Sequence, residues 1–143
     1  MGASSPGKVV ISLGTSDTLF AAMPAPKTDP NGFGHVFGNP AGGYMSLICF
    51  KNGSLAREAI KEKYELNWDS FEKDALSQTP AGNNGSMMLP FYEPEITPAI
   101  DTEGPIFSSD HHYSSGEAVR AVLESQFLNM RTHSDWLGVS PSR

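Results

Sequence analysis

The sequence predicts a mixed α/β fold, and three observations carry this prediction. Two β-rich runs, Val9–Leu13 and Thr18–Met23, flank a short turn near the N-terminus. Two stretches further along the chain repeat apolar residues every three or four positions, which is the spacing of an amphipathic helix. Proline and glycine clusters separate these runs. Strands and helices mixed along one chain of 143 residues are typical of a layered α/β unit.

Composition limits the class of protein. With 38% hydrophobic residues, the chain is long enough to bury one core, so residues 1–143 correspond to one domain or part of one. A net charge of −6 and a pI near 5.1 argue against a surface for nucleic acid or anionic membranes. No apolar run has membrane-spanning length, and the N-terminus lacks the apolar core of a signal peptide. We expect a cytoplasmic protein with Cys49 as a buried structural thiol.

The first elements are an antiparallel hairpin formed by the two β-rich runs. Proline at positions 24, 26 and 30 ends the second run, and we expect residues 24–43 to form a polar, glycine-rich loop excursion. Tyr44–Phe50 is predicted as a third strand. From Ser54 the chain becomes helical, with Ala56, Ile60 and Tyr64 on one stripe.

The second half of the chain is predicted to alternate helix, strand, loop and helix. Residues 67–81 form a short amphipathic helix whose apolar contacts are Trp68, Phe71 and Leu76. Residues 87–91 form a fourth strand, and 92–113 form a proline-interrupted loop excursion.

The last helix has the clearest signals. Ser114 and Glu117 make a capping box at its start, and the helix is predicted to run to about Leu137, with Gly138 as its stop. Its predicted apolar face consists of Val119, Val122, Leu123, Phe127 and Met130.

The turn at Gly14–Asp17 admits two interpretations. Glycine, serine and aspartate are ordinary residues for closing a hairpin. The same composition can also form a concave nest of backbone N–H groups, which binds an anion such as phosphate without a lysine. Spacing alone leaves both interpretations open.

Two other patterns are weak. Residues 32–38, GFGHVFG, resemble a dinucleotide loop, but the final spacing is wrong and no helix follows. His111 and His112 are adjacent, yet no cluster of cysteine, histidine or carboxylate residues at ligand spacing accompanies them, so we predict no metal site.

Four segments in order resemble the FGGY family of carbohydrate kinases, and within it the kinases that act on xylulose. They are SLGTSDTLF at 12–20, YMSLICFKNGSL at 44–55, GNNGSMMLPFYEPEITP at 82–98, and EAVRAVLESQFLNMR at 117–131. The resemblance covers about Val9 to Gly138. It implies the first part of the family's second domain, which has the ribonuclease-H-like fold shared with actin and hexokinase.

The resemblance also implies what this partial domain lacks. The family's catalytic aspartate lies just upstream of the motif that matches residues 12–16, and its adenosine loop follows the next strand. We therefore expect no catalytic residue within 1–143. We also expect an unpaired sheet edge, which would favour dimerisation.

Five residues inherit a nucleotide-binding role from the resemblance. In the family, the turn that matches Gly14, Thr15 and Ser16 lies against the ATP phosphates. Gly53 and Arg57 match positions near the nucleotide in glycerol kinases, although those enzymes carry glutamine where this chain has Arg57. For Asp17 the turn role is preferred to a metal-binding role, because an acidic group beside phosphate is unfavourable.

The function implied by the resemblance is that of part of an ATP- and Mg²⁺-dependent kinase that converts D-xylulose to D-xylulose 5-phosphate. The chain would supply the phosphate-binding turn and would not turn over substrate alone. Two alternatives remain open: a non-catalytic phosphate-binding or interaction module, and a kinase for another sugar or polyol such as ribulose or glycerol.

Overall fold

A four-stranded antiparallel sheet forms one layer of the molecule. The computed structural model describes residues 4–102 and 104–139, without the side chains of 74–76. The strands are β1 (Val9–Ser12), β2 (Asp17–Met23), β3 (His35–Gly38) and β4 (Tyr44–Phe50), in the spatial order β1-β2-β4-β3. β2 and β4 pair along their whole length, with Asp17 opposite Phe50 and Met23 opposite Tyr44. The predicted hairpin and third strand are confirmed.

Strand β3 lies in the segment that was predicted to be loop. His35–Gly38 pairs with β4 from Leu47 to Tyr44. The sequence HVFG lacks a clear apolar and polar alternation, so its local pattern is weak. Its conformation is set by β4, whose outer backbone groups need partners.

Three helices form the second layer. They are α1 (Ser54–Lys63), α2 (Trp68–Ser77) and α3 (Ser115–Ser134). The predicted capping box is present at α3: the Ser114 amide donates to Glu117 Oε2 at 2.8 Å, and the Glu117 amide donates to Ser114 Oγ at 3.3 Å. A short 3₁₀ turn follows, and Gly138 ends it with φ 67°.

The segment after the second helix contains more regular structure than predicted. Its strands are β5 (Met88–Leu89), β6 (Glu95–Ile96), β7 (Ala99–Ile100) and β8 (Ile106–Phe107). β5 pairs with β8, and β6 pairs with β7. The predicted strand at 87–91 is thus shorter, and the loop at 92–113 contains three strands. Its prolines at 94, 98 and 105 fall outside the paired residues, so they remove no hydrogen bond between the strands.

The core consists of two clusters joined by α3. The larger lies among the helices and includes Ile60, Phe71, Val119 and Val122, together with Ala56, Met88, Tyr113, Ala118 and Ala121. The smaller lies between the sheet and the end of α3. Its members are Leu19, Ala21, Ile48, Phe50 and Met130. The side chain of Leu76, a predicted contact, lies outside the described part of the structure.

The inward stripe of α3 differs from the predicted apolar face at one position. Val119, Val122, Gln126 and Met130 are buried, whereas Phe127 is 46% exposed. The stripe advances in steps of three or four residues, and Gln126 occupies the inward place one helical turn before Met130. Phe127 therefore falls on the flank, beside the sheet edge.

An apolar groove separates that flank from β1. β1 is an edge strand, and Val9 and Ile11 are 39% and 42% exposed. These two residues line the groove with Leu19, Phe127 and Met130. The predicted open edge is therefore present in the described part of the sheet. Among the described helices, none has the length and apolar character needed to span a bilayer.

Candidate functional site

The turn between β1 and β2 packs directly against the start of α1. The Gly53 amide donates to the carbonyl of Thr15 at 3.2 Å, and the Ser54 amide donates to the carbonyl of Gly14 at 2.7 Å. The first amides of a helix have no partner within the helix, so the turn carbonyls satisfy them here. All five residues predicted to bind nucleotide thus belong to one local structure.

This packing orients the other half of each turn peptide. The Gly14 carbonyl and the Thr15 amide belong to one trans peptide unit and point in opposite directions, as do the Thr15 carbonyl and the Ser16 amide. Because both carbonyls point to α1, both amides point away from it. Within residues 4–102 and 104–139, neither amide has an acceptor. Thr15 is exposed. Two adjacent amides and one hydroxyl therefore face outward together.

Gly53 permits the close approach of α1 to the turn. A Cβ atom at this position would lie 2.6 Å from the carbonyl oxygens of both Gly14 and Thr15, and 2.8 Å from the Asp17 nitrogen. These atoms are backbone, so no side chain can move to make room. Glycine is required here for space, since its φ is −91°.

The Gly14 amide faces inward, unlike the two that follow. It donates to Asp17 Oδ1 at 3.1 Å, so the aspartate closes the turn. Asp17 is completely buried, and Arg57 pairs with it through both carboxylate oxygens at 2.8 and 3.0 Å. The paired arginine balances the buried negative charge and supplies two charge-assisted hydrogen bonds.

Gln126 is a site residue that sequence reasoning missed. Its Oε1 accepts from Arg57 Nη1 at 2.8 Å, and its Nε2 donates to the carbonyls of Asn52 and Gly53 at 2.7 and 2.9 Å. The available signal was a glutamine placed one helical turn from the apolar residues on either side. An amide at a core position requires polar partners, which predicts a buried network.

A second buried carboxylate, also missed, holds the connection from β4 to α1. Glu95 accepts from the amides of Lys51 and Asn52 at 2.7 and 3.1 Å, and from the Asn52 side chain at 3.0 Å. These bonds fix the two residues that lead into Gly53. Burial is the main factor that raises the pKa of the nearby Cys49 thiol, and the charge of Glu95 adds to it.

Cys49 is half-buried rather than fully buried, because it lies on the alternate face of β4. The Ser16 side chain acts against burial and lowers the pKa of the Cys49 thiol. Of the two hydroxyl residues in the turn, Ser16 is half-buried and Thr15 is exposed.

The arrangement does not suit a metal ion. The Asp17 carboxylate already accepts from Gly14 and Arg57, and the described residues contain no group of three potential metal ligands. His111 lies on the distant loop before α3, where it contacts Ser109 and Glu117 and stacks on Tyr113.

Comparison with known proteins identifies relatives over nearly the whole chain. A rat xylulose kinase is 43% identical over 139 residues, which cover 92% of this chain and 25% of the relative. Xylulose kinase 2 of Arabidopsis thaliana is 36% identical over 160 residues, covering 95% of this chain and 27% of the relative. The chain thus spans about a quarter of the length of the curated relatives it matches.

Solved structures confirm the predicted ribonuclease-H-like, actin-like fold of a partial domain. The xylulose kinase of Bifidobacterium adolescentis matches with a TM-score of 0.83 and 28% identity, over 97% of this chain and 28% of that one. A gluconate kinase from Lactobacillus acidophilus matches with a TM-score of 0.74 and 21% identity, over 92% of this chain and 27% of that one. Residues 9–143 match the FGGY family of carbohydrate kinases, C-terminal domain. The chain belongs to this family.

Proposed function

We propose that this chain supplies the ATP phosphate-binding turn of a D-xylulose kinase. The complete reaction transfers the γ-phosphoryl group of ATP to the 5-hydroxyl of D-xylulose and releases ADP. Phosphoryl transfer requires donors that neutralise charge on the transferred group and a base on the acceptor hydroxyl. In this proposal the chain contributes the donors, and the base comes from another part of the enzyme.

The outward orientation of the Thr15 and Ser16 amides is the observation that supports this role. Successive amides that face one point form a concave site for an anion. The Thr15 hydroxyl adds a third donor beside them. Donors already held in place need not reorganise when charge develops on the phosphoryl oxygens, which makes their stabilisation effective.

The sugar substrate, the metal ion and the compartment are each proposed on a separate observation. Xylulose is proposed because relatives at 43% and 36% identity carry that name. Mg²⁺ is proposed to arrive with ATP, since the carboxylate of Asp17 is already engaged by Arg57 and Gly14. The single, unpaired cysteine fits a reducing compartment, so we propose the cytosol.

The test uses a composite kinase, in which this chain replaces the matching segment of the rat xylulose kinase. Thr15→Ala removes the exposed hydroxyl, and Gly14→Val presses a branched side chain on the Ser16 carbonyl, which a Cβ would already approach at 3.3 Å. We expect each variant to lower kcat for xylulose-dependent ADP release about 100-fold. Thr28→Ala, at an exposed threonine beyond the opposite end of β2, is the matched control.

Three results would contradict the proposal. A folded composite kinase without activity would show that the segment cannot serve this enzyme, which favours a non-catalytic module. Unchanged turnover in both turn variants would remove the phosphate role. In the complete enzyme to which this chain is proposed to belong, a higher kcat/KM for ribulose, glycerol or gluconate than for xylulose would contradict the proposed substrate. This chain alone is expected to release no ADP.

A further inference from the structure

We infer that Arg57 is a positioning residue for the phosphate-binding turn and acts through Asp17 and Gln126. This inference rests on the proposed function of the turn. Resemblance to glycerol kinases suggested a direct donor to nucleotide at this position. The contacts of the guanidinium point to a different role.

The terminal nitrogens of Arg57 have their hydrogen bonds within the chain. Nη1 donates to Asp17 Oδ2 and to Gln126 Oε1, both at 2.8 Å. Nη2 donates to Asp17 Oδ1 at 3.0 Å and to the Gly14 carbonyl at 3.4 Å. Each nitrogen carries two hydrogens, so four donors meet four acceptors. A phosphate could gain these donors only by displacing buried partners.

The charge of Arg57 also changes what the phosphate encounters. The Asp17 side chain is 1% exposed and lies two residues after Thr15. An unpaired carboxylate at this place would repel the ATP phosphates through a medium of low dielectric constant. Arg57 cancels that charge at 2.8 Å, so the turn can accept an anion although an aspartate closes it.

Gln126 connects this pair to helix α3. Both hydrogens of its Nε2 go to the carbonyls of Asn52 and Gly53, while its Oε1 accepts from Arg57. The turn, the start of α1 and the middle of α3 are therefore held by one network. Arg57 is its centre, since it contacts the turn and Gln126 at once.

A double-mutant cycle in the composite kinase tests the inference. Arg57→Gln leaves Asp17 charged and uncompensated, and we expect kcat to fall about 100-fold, with little change in KM for xylulose. Adding Asp17→Asn removes the stranded charge and leaves two amides that can bond to each other. We expect kcat of the double variant to be at least about tenfold higher than kcat of Arg57→Gln. Such a recovery would show strong energetic coupling between the two neighbouring residues.

Two further variants distinguish the positioning role of Arg57 from the effect of its charge and from a general loss of stability. Arg57→Lys keeps the charge, but one ammonium group cannot reproduce the planar fork, so kcat should fall about tenfold or more. Arg120→Gln is the matched control: its side chain is 17% exposed, against 12% for Arg57, and bonds to Thr79 and Glu124. We expect it to lower thermal stability without a selective loss of kcat.

Specific outcomes would overturn the inference. A double variant as impaired as Arg57→Gln, or one with additive losses, would identify Arg57 as a direct phosphate contact. Equal kinetic losses in the Arg57 and Arg120 variants would indicate general destabilisation. If Arg57→Gln fails to fold, the double variant, which strands no charge, still decides between these cases. Loss of activity in Thr15→Ala with none in Arg57→Gln would refute this inference alone, whereas unchanged turnover in both Thr15→Ala and Gly14→Val would refute the proposed function.

Discussion

Two turns of the same sheet are closed in different ways. The turn from β3 to β4 is local: the Asn39 side chain accepts from the Ala41 amide at 2.9 Å, and the Asn39 backbone bonds to Gly42 and Gly43 at 2.8 and 3.0 Å. The turn from β1 to β2 has one such local bond, from Gly14 to Asp17. Its other partners lie about 40 positions away in sequence or further.

The difference shows how a turn can present its backbone amides to solvent. A connecting turn needs only to reverse the chain, so its own residues can satisfy its polar groups. A turn that presents two amides outward must have its carbonyls satisfied on the opposite side. Helix α1 meets this requirement, and residues distant in sequence hold the helix in place.

The largest contrast is expected between two glycine substitutions. Gly53→Ala would place a Cβ 2.6 Å from two turn carbonyls and should lower the free energy of unfolding by roughly 3 kcal/mol, with loss of kinase activity. In Gly42→Ala no atom within 4 Å obstructs the Cβ, and the φ of 100° should cost roughly 1 kcal/mol. Urea unfolding of the Gly53→Ala and Gly42→Ala variants of the composite kinase measures the stability difference, and kinase assays measure the loss of activity. Equal losses of stability would contradict the comparison.

The second contrast, of similar size in the free energy of unfolding, is expected between the polar residues that close the two turns. Asp17→Asn strands the buried charge of Arg57, so it should lower the free energy of unfolding by roughly 3 kcal/mol. Asn39→Ala removes a bond from an exposed turn and should cost about 1 kcal/mol or less. Thermal and urea unfolding provide the test, and an Asn39 effect as large as that of Asp17 would refute it.

The smallest effect is expected at the capping box, a second local device. Ser114→Ala should destabilise the chain by about 1 kcal/mol and leave kcat unchanged. The Ser114 amide, and then its hydroxyl, lower the pKa of Glu117 below its ordinary 4.5. The stability that the chain gains from the ionised Glu117 carboxylate is complete above pH 4.5 and is lost as the pH falls through the folded-state pKa of Glu117. The difference between wild type and variant should therefore shrink from pH 7 to pH 3, as urea unfolding can measure.

Strong local patterns predicted most of the fold. The hairpin, strand β4 and the three helices follow from periodicity, caps and turn residues. Strand β3 was missed because its conformation depends on pairing with β4. Phe127 was placed in the core because a helical pattern cannot tell the centre of a buried stripe from its flank.

The site was predicted less evenly than the fold. Resemblance selected Gly14, Thr15, Ser16, Gly53 and Arg57, and the structure brings them together. It did not indicate which of their polar groups point outward. Gln126 went unnoticed although it stands on the apolar stripe of α3, and Glu95 went unnoticed because a single glutamate in a segment predicted to be loop has no distinctive local pattern.

The sequence by itself determined the first hairpin, strand β4 and the three helices, the capped start of α3, the glycine-rich turn and the family, since each depends on neighbouring residues or on an ordered series of motifs. Only the tertiary structure decided which turn amides point outward and where Arg57 binds. Those outcomes depend on contacts between Asp17, Gly53 and Gln126, which lie far apart along the chain and meet only when the sheet and helices pack.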